Sequence, residues 1–375
     1  MKIAYLILGT FNSGGMERVL SNKANYLADV AGYDISIITS DQQDRPRFFR
    51  FSEKIRHYDL GINYSDTNGR NIFSKTLSYF RKQKKHRRRL SELLARERFD
   101  IVVSMFGPEV HWLPDIKDGS KKVAEIHFSK YFREQQARGG LWKMSDALRS
   151  RQDERAIKKY HKFVVLTQED KEYWGNKPNM EVVYNASTFD VGELSPLIDK
   201  RVISAGRLTH QKGYSRLIHA WESVAEDHPD WKLDIFGGGE EEEALIKQIK
   251  RSGLEGIVSI HPPTSTISRE YLASSINVLS SRYEGFGMVL VESMAFGVPC
   301  VSFACKCGPR DVINNEEDGI LVPDGDVEGL AKGICRLIED EDLRRKMGKN
   351  AARKVQEKFS REQIMKQWQE LFENL

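Results

Sequence analysis

Short apolar runs rich in β-branched residues alternate with longer amphipathic segments along this chain, and this alternation constrains the fold most. In the first half, runs such as Ile3–Leu8 and Ile101–Ser104 have the length of buried strands, and Met16–Val30 has helical spacing. Repetition of strand, helix and strand indicates a parallel sheet covered on both faces. The other strands predicted here are Ile35–Thr39, Val123–Ile126, Phe163–Leu166 and Glu181–Tyr184, and a second helix is predicted at Ser145–Tyr160.

The pattern restarts after Thr188–Lys200, which has weak periodicity and contains Pro196. A length of 375 residues suits two domains. We therefore predict an α/β protein with two Rossmann-like, doubly wound domains, 1–190 and 199–358, facing a central cleft. Ligands of such sheets bind at the carboxyl ends of the strands. Strands are predicted at Val202–Ser204, Trp231–Phe236, Ile257–Ile260, Ile276–Ser280, Val298–Phe303 and Gly319–Val322, and helices at Tyr214–Glu226, Glu240–Ser252, Met288–Phe296 and from Asp342 on, with breaks at Gly348 and Ser360.

Composition excludes some classes of protein. No run approaches the roughly 18–20 apolar residues of a membrane-spanning helix, and Ile3–Leu8 is too short for a signal peptide. We therefore expect a cytoplasmic protein. The four cysteines all lie late in the chain and are expected to be reduced thiols. Cys305 and Cys307 lack a second pair at zinc spacing, so no metal site is predicted.

The strongest motif runs from Ser281 to Pro299, after a predicted strand and into a helix. The loop Glu284–Gly287 would lie at a helix N-terminus, where free amides suit an anion and glycines admit close approach. Glu292 follows about two helical turns later. Two carboxylates in these places can accept hydrogen bonds from two sets of sugar hydroxyls. The alternative is an ordinary strand-to-helix turn with a capping glutamate.

Two further loops follow predicted strands. In the segment 206–213, Arg207 and Lys212 are spaced to converge on a phosphate group, unless they are simply exposed turn charges. Between the first strand and its helix, Gly14 and Gly15 let backbone amides approach a phosphate or a sugar. That loop lacks the full dinucleotide fingerprint, and a plain tight turn is the alternative.

Taken together and in this order, the motifs resemble those of retaining glycosyltransferases of family 4, which have the GT-B fold. The resemblance spans nearly the whole chain and is closest to bacterial enzymes that build capsular, O-antigen or other surface polysaccharides on lipid carriers. The segments that carry it are 14–18, 206–213 and 284–292, with lesser matches at Leu166-Thr167, Tyr184-Asn185, 307–309 and 318–322.

The resemblance implies a nucleotide diphosphate sugar as donor, with a UDP-sugar favoured over a GDP-sugar, and a hexose or N-acetylhexosamine as the transferred group. Arg207 and Lys212 would hold the diphosphate and Glu292 the ribose, without a metal or cofactor. Pro262-Pro263 departs from the family where a glycine loop often approaches the base, which leaves the base open. The implied donor-binding set is Gly14, Gly15, Arg207, Lys212, Glu284, Gly285, Phe286, Gly287 and Glu292, and the implied catalytic set is Glu284, His127, Arg207 and Lys212, with His127 touching the donor sugar.

Basic residues are concentrated in the first 190 residues, which hold 34 basic and 24 acidic side chains against 24 and 30 in the remainder. Seven of the nine residues from Arg81 to Arg89 are basic. Segment 73–98 is interpreted either as a helix lying on an anionic membrane surface, which suits an acceptor on polyprenyl diphosphate, or as a solvated helix whose apolar residues face its sheet. Stacking aromatics are too few for a nucleic-acid partner.

Three functions remain open from the sequence: a hexosyltransferase acting on a glycan or lipid-linked acceptor, a nucleotide-sugar epimerase of the same fold, and a non-catalytic binding module. The final helix, 361–375, is expected to cross back onto the amino-terminal domain, as this fold usually does. Its buried face would consist of Trp368, Leu371 and Phe372.

Overall fold

The computed structural model describes residues 1–12, 14–67, 72–132 and 141–375, with the side chains of residue 67 and of 72–77 and 141–145 outside that description. Phe73 and Leu77, predicted on the apolar face of the basic helix, lie among those side chains. The chain divides into two compact units, which we call the first unit (Met1–Leu166, Asp170–Val183 and Met365–Leu375) and the second unit (Thr167–Glu169 and Tyr184–Ile364).

The first unit contains a seven-stranded parallel sheet in the order β3-β2-β1-β4-β5-β6-β7. All its strands except β3 coincide with apolar runs that the sequence identifies. The sequence prediction missed β3, because this edge strand buries none of its residues and so has no apolar run. The strands are β1 (Lys2–Ile7), β2 (Asp34–Thr39), β3 (Arg56–Asp59), β4 (Ile101–Ser104), β5 (Lys121–Glu125), β6 (Lys162–Val165) and β7 (Met180–Val182).

In the first half of the chain, the described residues form four helices. Leu90 and Leu94 of the basic helix are fully buried in the core with Ala4 and Leu6 of β1, so that face of the helix packs on the sheet. This confirms the packing interpretation for those residues. The helices are α1 (Gly15–Asp29), α2 (Ile72–Glu97), α3 (Leu141–Ile157) and α4 (Gln168–Tyr173), with short 3-10 turns at Tyr64–Thr67 and Leu113–Asp115.

The second unit contains a six-stranded parallel sheet in the order β10-β9-β8-β11-β12-β13. Its core joins sheet residues such as Leu233 and Val301 to helix residues such as Trp221 and Ile334. The strands are β8 (Arg201–Ala205), β9 (Lys232–Phe236), β10 (Val258–His261), β11 (Ile276–Leu279), β12 (Cys300–Phe303) and β13 (Gly319–Val322). The helices are α5 (Tyr214–Asp227), α6 (Glu242–Arg251), α7 (Ile267–Leu272), α8 (Met288–Ala295), α9 (Pro309–Val312), α10 (Val327–Glu339) and α11 (Glu341–Lys354).

One predicted helix break is right and the other is wrong. After a π-helical turn at Val355–Phe359, Ser360 is extended and the last helix, α12 (Arg361–Glu373), begins. Gly348 does not break α11. A Cβ at Gly348 would lie 2.2 Å from the carbonyl oxygen of Gly297. Glycine at this position therefore lets α11 pack closely against the backbone at Gly297.

The last helix belongs mostly to the first unit, from Met365 on. Its residues Trp368, Leu371 and Phe372 are buried, as the sequence predicts. No helix in the described part of the chain has the length and apolar character needed to cross a bilayer. No disulfide bond joins the four cysteines.

Candidate functional site

The candidate site of the second unit lies where β8 and β11 run side by side, which is where the strand order of the sheet reverses. Loops that leave neighbouring strands at such a point form a crevice that binds ligands. The loop 206–213 follows β8 and the loop 280–287 follows β11. The two strongest motifs of the sequence therefore meet at one edge of one sheet.

Hydrogen bonds fasten these two loops together. The amide of Arg282 donates to the carbonyl oxygen of Gln211 at 2.8 Å, and the side-chain amide of Gln211 donates to the carbonyl oxygen of Tyr283 at 3.1 Å. The Ser280 hydroxyl donates to the carbonyl oxygen of Lys212 at 3.0 Å. The backbone on both sides of the site is thus held in place before any ligand binds.

Two glycines are required by this geometry. Gly213 has a φ of 64°, and a Cβ there would lie 2.5 Å from the carbonyl oxygen of Ser280. Gly287 has a φ of 90° and occupies the N-cap position of α8, with no side chain capping the helix. The amides of the first turn of α8 therefore lie beside the loop, as the sequence predicts, where they suit a negative charge.

Lys212 and Glu284 form the charged pair of the site. The Lys212 Nζ lies 2.7 Å from Glu284 Oε1, and the Ser281 hydroxyl donates to the same oxygen at 2.6 Å. Glu284 is only 6% exposed. Arg207, by contrast, is exposed, and its guanidinium group forms no ion pair with any described residue. The site thus contains one lysine that is held in place by Glu284 and one arginine whose guanidinium group is available to a ligand.

Glu292 and Phe286 fix the helical side of the site. Glu292 is buried on α8, and its Oε1 accepts a hydrogen bond from the Thr188 hydroxyl at 2.9 Å. The Phe286 ring is buried between those of Tyr184 and Phe359, with centroid distances of 5.9 and 5.8 Å. Phe286 therefore anchors the loop that also contains Gly285. The ligand contacts of these residues stay a prediction.

The loops after β9 and β10 lie side by side at the same edge of the sheet. A Cβ on Gly238 would come within 3.6 Å of the Pro263 ring. Pro262-Pro263, where the chain departs from the family pattern, thus borders the glycine turn 237–239. No group of three or more His, Cys, Asp or Glu side chains in the described ranges is arranged to hold a metal ion.

The predicted residues of the first unit lie at the carboxyl ends of β1 and β5. Gly14 is the N-cap residue of α1 and Gly15 is its first residue, with no side-chain cap on that helix. Glu17, in the first turn, is buried and accepts a hydrogen bond from the Asn12 side chain at 3.4 Å. Contacts of Gly14 and Gly15 with a ligand remain predictions.

His127 is held by a buried ion pair. Its Nε2 lies 2.9 Å from Oε1 of Glu125, and the Lys23 Nζ lies 2.6 Å from the same oxygen. Burial by itself would raise the pKa of Glu125, but the charge of Lys23 and the hydrogen bonds from His127 and Lys23 outweigh it and lower that pKa to about 2. Burial lowers the pKa of Lys23. Glu125 is therefore ionised and fixes the His127 ring.

The sequence prediction missed several of these residues. Glu125 could have been identified from the sequence, because a carboxylate inside an otherwise apolar strand needs a buried partner. Ser281 lies inside the quoted motif, directly after its strand. Thr188 lies in the segment interpreted as a linker, and no pattern distinguishes it from its neighbours.

Models of two families match the chain. The model described as Glycosyltransferase Family 4 matches residues 13–187, and the one described as Glycosyl transferases group 1 matches residues 189–354. The two matches meet between the halves of the chain and together include both loops of the site and the His127 region.

Individual relatives and solved structures agree with these matches. An uncharacterized glycosyltransferase of Haemophilus influenzae is 31% identical over 373 residues, which is 98% of each chain. The amylovoran biosynthesis glycosyltransferase AmsD of Erwinia amylovora is 34% identical over 225 residues, which is 56% of this chain and 61% of AmsD. The crystal structure of Anabaena HepE in complex with UDP superposes with a TM-score of 0.76 and 18% identity, over the whole of both chains.

Proposed function

Because the chain belongs to the GT-B glycosyltransferases of the family 4 type, we propose that it transfers a hexose or N-acetylhexosamine from a nucleotide diphosphate sugar, with retention, to a glycan or lipid-linked acceptor in surface polysaccharide biosynthesis. The observation that carries the proposal is the Lys212–Glu284 pair at the switch point of the second sheet, beside the N-terminus of α8. A UDP-sugar is the favoured donor, in keeping with the UDP bound to HepE. The name of AmsD supports the polysaccharide role.

Each part of the donor has a partner in this proposal. The diphosphate binds the planar guanidinium group of Arg207, which can donate to two oxygens at once, and the compact ammonium group of Lys212. The amides at the start of α8 also bind it. Glu284 accepts hydrogen bonds from hydroxyls of the transferred sugar, and Glu292 from those of the ribose. The positive charge needed at the diphosphate comes from the protein, so no metal is required.

The chemistry follows from the charge that develops on the leaving group. As the bond between sugar and diphosphate breaks, negative charge grows on the diphosphate, and Arg207 and Lys212 stabilise it where it forms. The acceptor hydroxyl attacks from the same face of the sugar, and the leaving diphosphate takes its proton. This route gives retention without a protein nucleophile.

A ligand screen followed by a transfer assay tests the proposal. We expect UDP to raise the melting temperature of the full chain more than GDP or ADP, because ligand at 100 times its Kd adds about 2.7 kcal/mol to stability. Radiolabelled UDP-glucose and UDP-N-acetylglucosamine are then incubated with and without a lipid-linked glycan acceptor. Transfer supports the proposal, whereas an isomerised sugar formed without acceptor would indicate an epimerase, and binding without turnover a binding module.

We also propose that the outer face of α2 contacts an anionic membrane surface. On the inner side of this helix, the Lys85 ammonium and the Arg89 guanidinium donate to carbonyl oxygens of Gly61 and Leu60, so these bases are committed to the fold. Phe80 is 66% exposed and lies one helical turn from Lys84. An exposed aromatic ring among bases is typical of interfacial helices.

Vesicle binding measures this contact. Each exposed base near an anionic surface contributes about 1 kcal/mol, so replacing Arg81, Lys84 and Arg87 by Gln should weaken binding to vesicles containing phosphatidylglycerol about a hundred-fold. A control variant replaces three exposed lysines elsewhere on the first unit, Lys117, Lys121 and Lys158. Equal loss in both variants, or no preference of the native chain for anionic over neutral vesicles, would contradict the proposal.

A further inference from the structure

A cavity of about 600 Å³ lies in the first unit at the carboxyl ends of β1, β2 and β3. Thr10, Thr39 and residues 57–59 line it, together with half of the loop that joins β2 to β3. The carboxyl edge of a parallel sheet is where ligands bind, and this volume suits a small organic molecule such as a saccharide. None of the donor-site residues lines it.

The loop that forms the cavity wall is held in place by hydrogen bonds. The amide of Phe48 donates to the carbonyl oxygen of Thr10 at 2.9 Å, and the amide of Thr10 donates to Gln42 Oε1 at 2.9 Å. The side chain of Gln42 donates to the carbonyl oxygen of Arg45 at 2.6 Å. The Ser21 hydroxyl of α1 donates to the carbonyl oxygen of Arg50 at 2.7 Å. A ligand would therefore meet a preformed wall.

Three arginines line this cavity, and they are not equivalent. Arg45 lies over the Phe11 ring, 3.3 Å from its centroid, and its Nε donates to the carbonyl oxygen of Gln42 at 2.9 Å, so its position is fixed. The guanidinium groups of Arg47 and Arg50 form no hydrogen bond or ion pair with any residue the structure describes. Two uncommitted guanidinium groups beside a cavity favour an anionic ligand.

The remaining lining restricts the kind of anion. Asp44 and Asp59 also line the cavity, and Asp59 accepts a hydrogen bond from the Thr39 hydroxyl at 3.0 Å. These carboxylates would repel a small free anion, but they can accept hydrogen bonds from hydroxyl groups. The rings of Phe49 and Tyr58 offer apolar surface to the carbon skeleton of a sugar. The lining therefore suits a molecule with both hydroxyls and a negative charge.

His57 also lines the cavity and is affected by the positive charge of Arg47. Burial, and then the charge of Arg47, lower the pKa of His57 to about 4. The imidazole is therefore neutral near pH 7, and its buried Nε2 has no hydrogen-bond partner among the described residues. The positive charge available to a ligand thus comes from the arginines.

We propose that this cavity binds a sugar carrying a phosphate or carboxylate group, with Arg47 and Arg50 on the charge and Asp44 and Asp59 on the hydroxyls. Its identification as the saccharide of the acceptor rests on the proposed function. The binding itself does not, because it uses residues of the first unit alone.

Calorimetric titration of the full chain tests the proposal without requiring turnover. The probes are glucose 6-phosphate, glucuronic acid, glucose and inorganic phosphate. We expect at least one charged sugar to bind ten-fold or more tightly than both glucose and inorganic phosphate. Comparison of glucose 6-phosphate with glucuronic acid identifies whether a phosphate or a carboxylate is recognised. The Arg47→Ala/Arg50→Ala variant should bind that sugar at least ten-fold more weakly, since it loses the charge-assisted hydrogen bonds to the anionic group.

Two control variants make the result specific. Arg88→Ala removes an exposed arginine of the first unit that does not line the cavity, and Lys212→Met disables the proposed donor site. Both should bind the charged sugar as the native chain does. Equal affinity for charged and neutral sugars, or a loss in Lys212→Met without one in Arg47→Ala/Arg50→Ala, would overturn the proposal. Failure of donor turnover alone would count against the proposed function and leave the cavity result standing.

Discussion

Replacing Lys212 by Met should lower kcat for sugar transfer by about 10²- to 10³-fold. The substitution keeps most of the side-chain volume and removes the charge that lies 2.7 Å from Glu284. In the proposed mechanism that charge stabilises the leaving diphosphate, and removal of one such preorganised group from an active site has this order of effect. Steady-state kinetics with a labelled donor measure the loss.

Two comparisons show whether that loss is chemical. Lys200→Met removes an exposed lysine of the same unit, which pairs with Asp230 at the surface, and should leave kcat near the native value. Lys212→Met should still fold, since Glu284 keeps the hydrogen bond from Ser281, but its melting temperature should fall because the buried Glu284 carboxylate loses its counter-charge. A folded Lys212→Met variant with near-native kcat would refute the role given to this lysine.

Replacing Lys23 by Ala should destabilise the first unit by about 3–5 kcal/mol, because it leaves the buried Glu125 carboxylate without its counter-charge. Lys23 is 1% exposed, and its ammonium group lies 3.8 Å from the centroid of the Trp368 ring. Hydrogen exchange of the β1, β4 and β5 amides reports the free energy of opening of this unit by itself. His127 should also lose its fixed orientation, visible as altered imidazole NMR shifts.

Further variants distinguish the stability lost with the buried ion pair from the stability lost on replacing any lysine. Lys54→Ala removes an exposed pair with Asp29 in the same unit and should cost less than about 1 kcal/mol. The double variant Lys23→Met/Glu125→Gln removes both buried charges and should recover much of the stability lost in Lys23→Ala. A loss below about 1 kcal/mol in Lys23→Ala would show that Glu125 finds another partner.

The ion pair between Lys23 and Glu125 predicts that the first unit loses stability in acid. The pKa of Glu125 is about 2 in the folded chain, below its ordinary value of 4.5, so the folded state binds this proton less readily than the unfolded state does. The stabilisation is present above pH 4.5 and is lost as the pH falls towards 2.

Sequence periodicity predicted most of the fold because the buried strands of a parallel sheet are continuous apolar runs. It failed at β3, whose residues Arg56 and Asp59 are exposed at an edge, so pairing rather than burial defines that strand. It also failed at Gly348, because a glycine that breaks a helix and one that admits a neighbouring backbone have the same local sequence signal. Only the tertiary contact with Gly297 distinguishes them.

At the candidate site, the local motifs were predictable and the long-range partners were not. The glycines and charges of the 206–213 and 284–292 segments follow from turn geometry and from phosphate chemistry, which act over a few residues. The partners Lys23 and Glu125 are separated by 102 positions, and Thr188 and Glu292 by 104. No spacing rule connects such positions, since their proximity results from the folded topology.

The location of the last helix has a consequence for synthesis of the chain. Trp368 covers Lys23, yet the ribosome makes it only after the entire second unit. At ordinary elongation rates that interval lasts tens of seconds. During it, the surface that α12 later covers, including Lys23, is open, so a nascent first unit should depend on chaperone protection until residues 365–375 emerge. Stalled chains that end within the second unit should be substrates for proteolysis for the same reason.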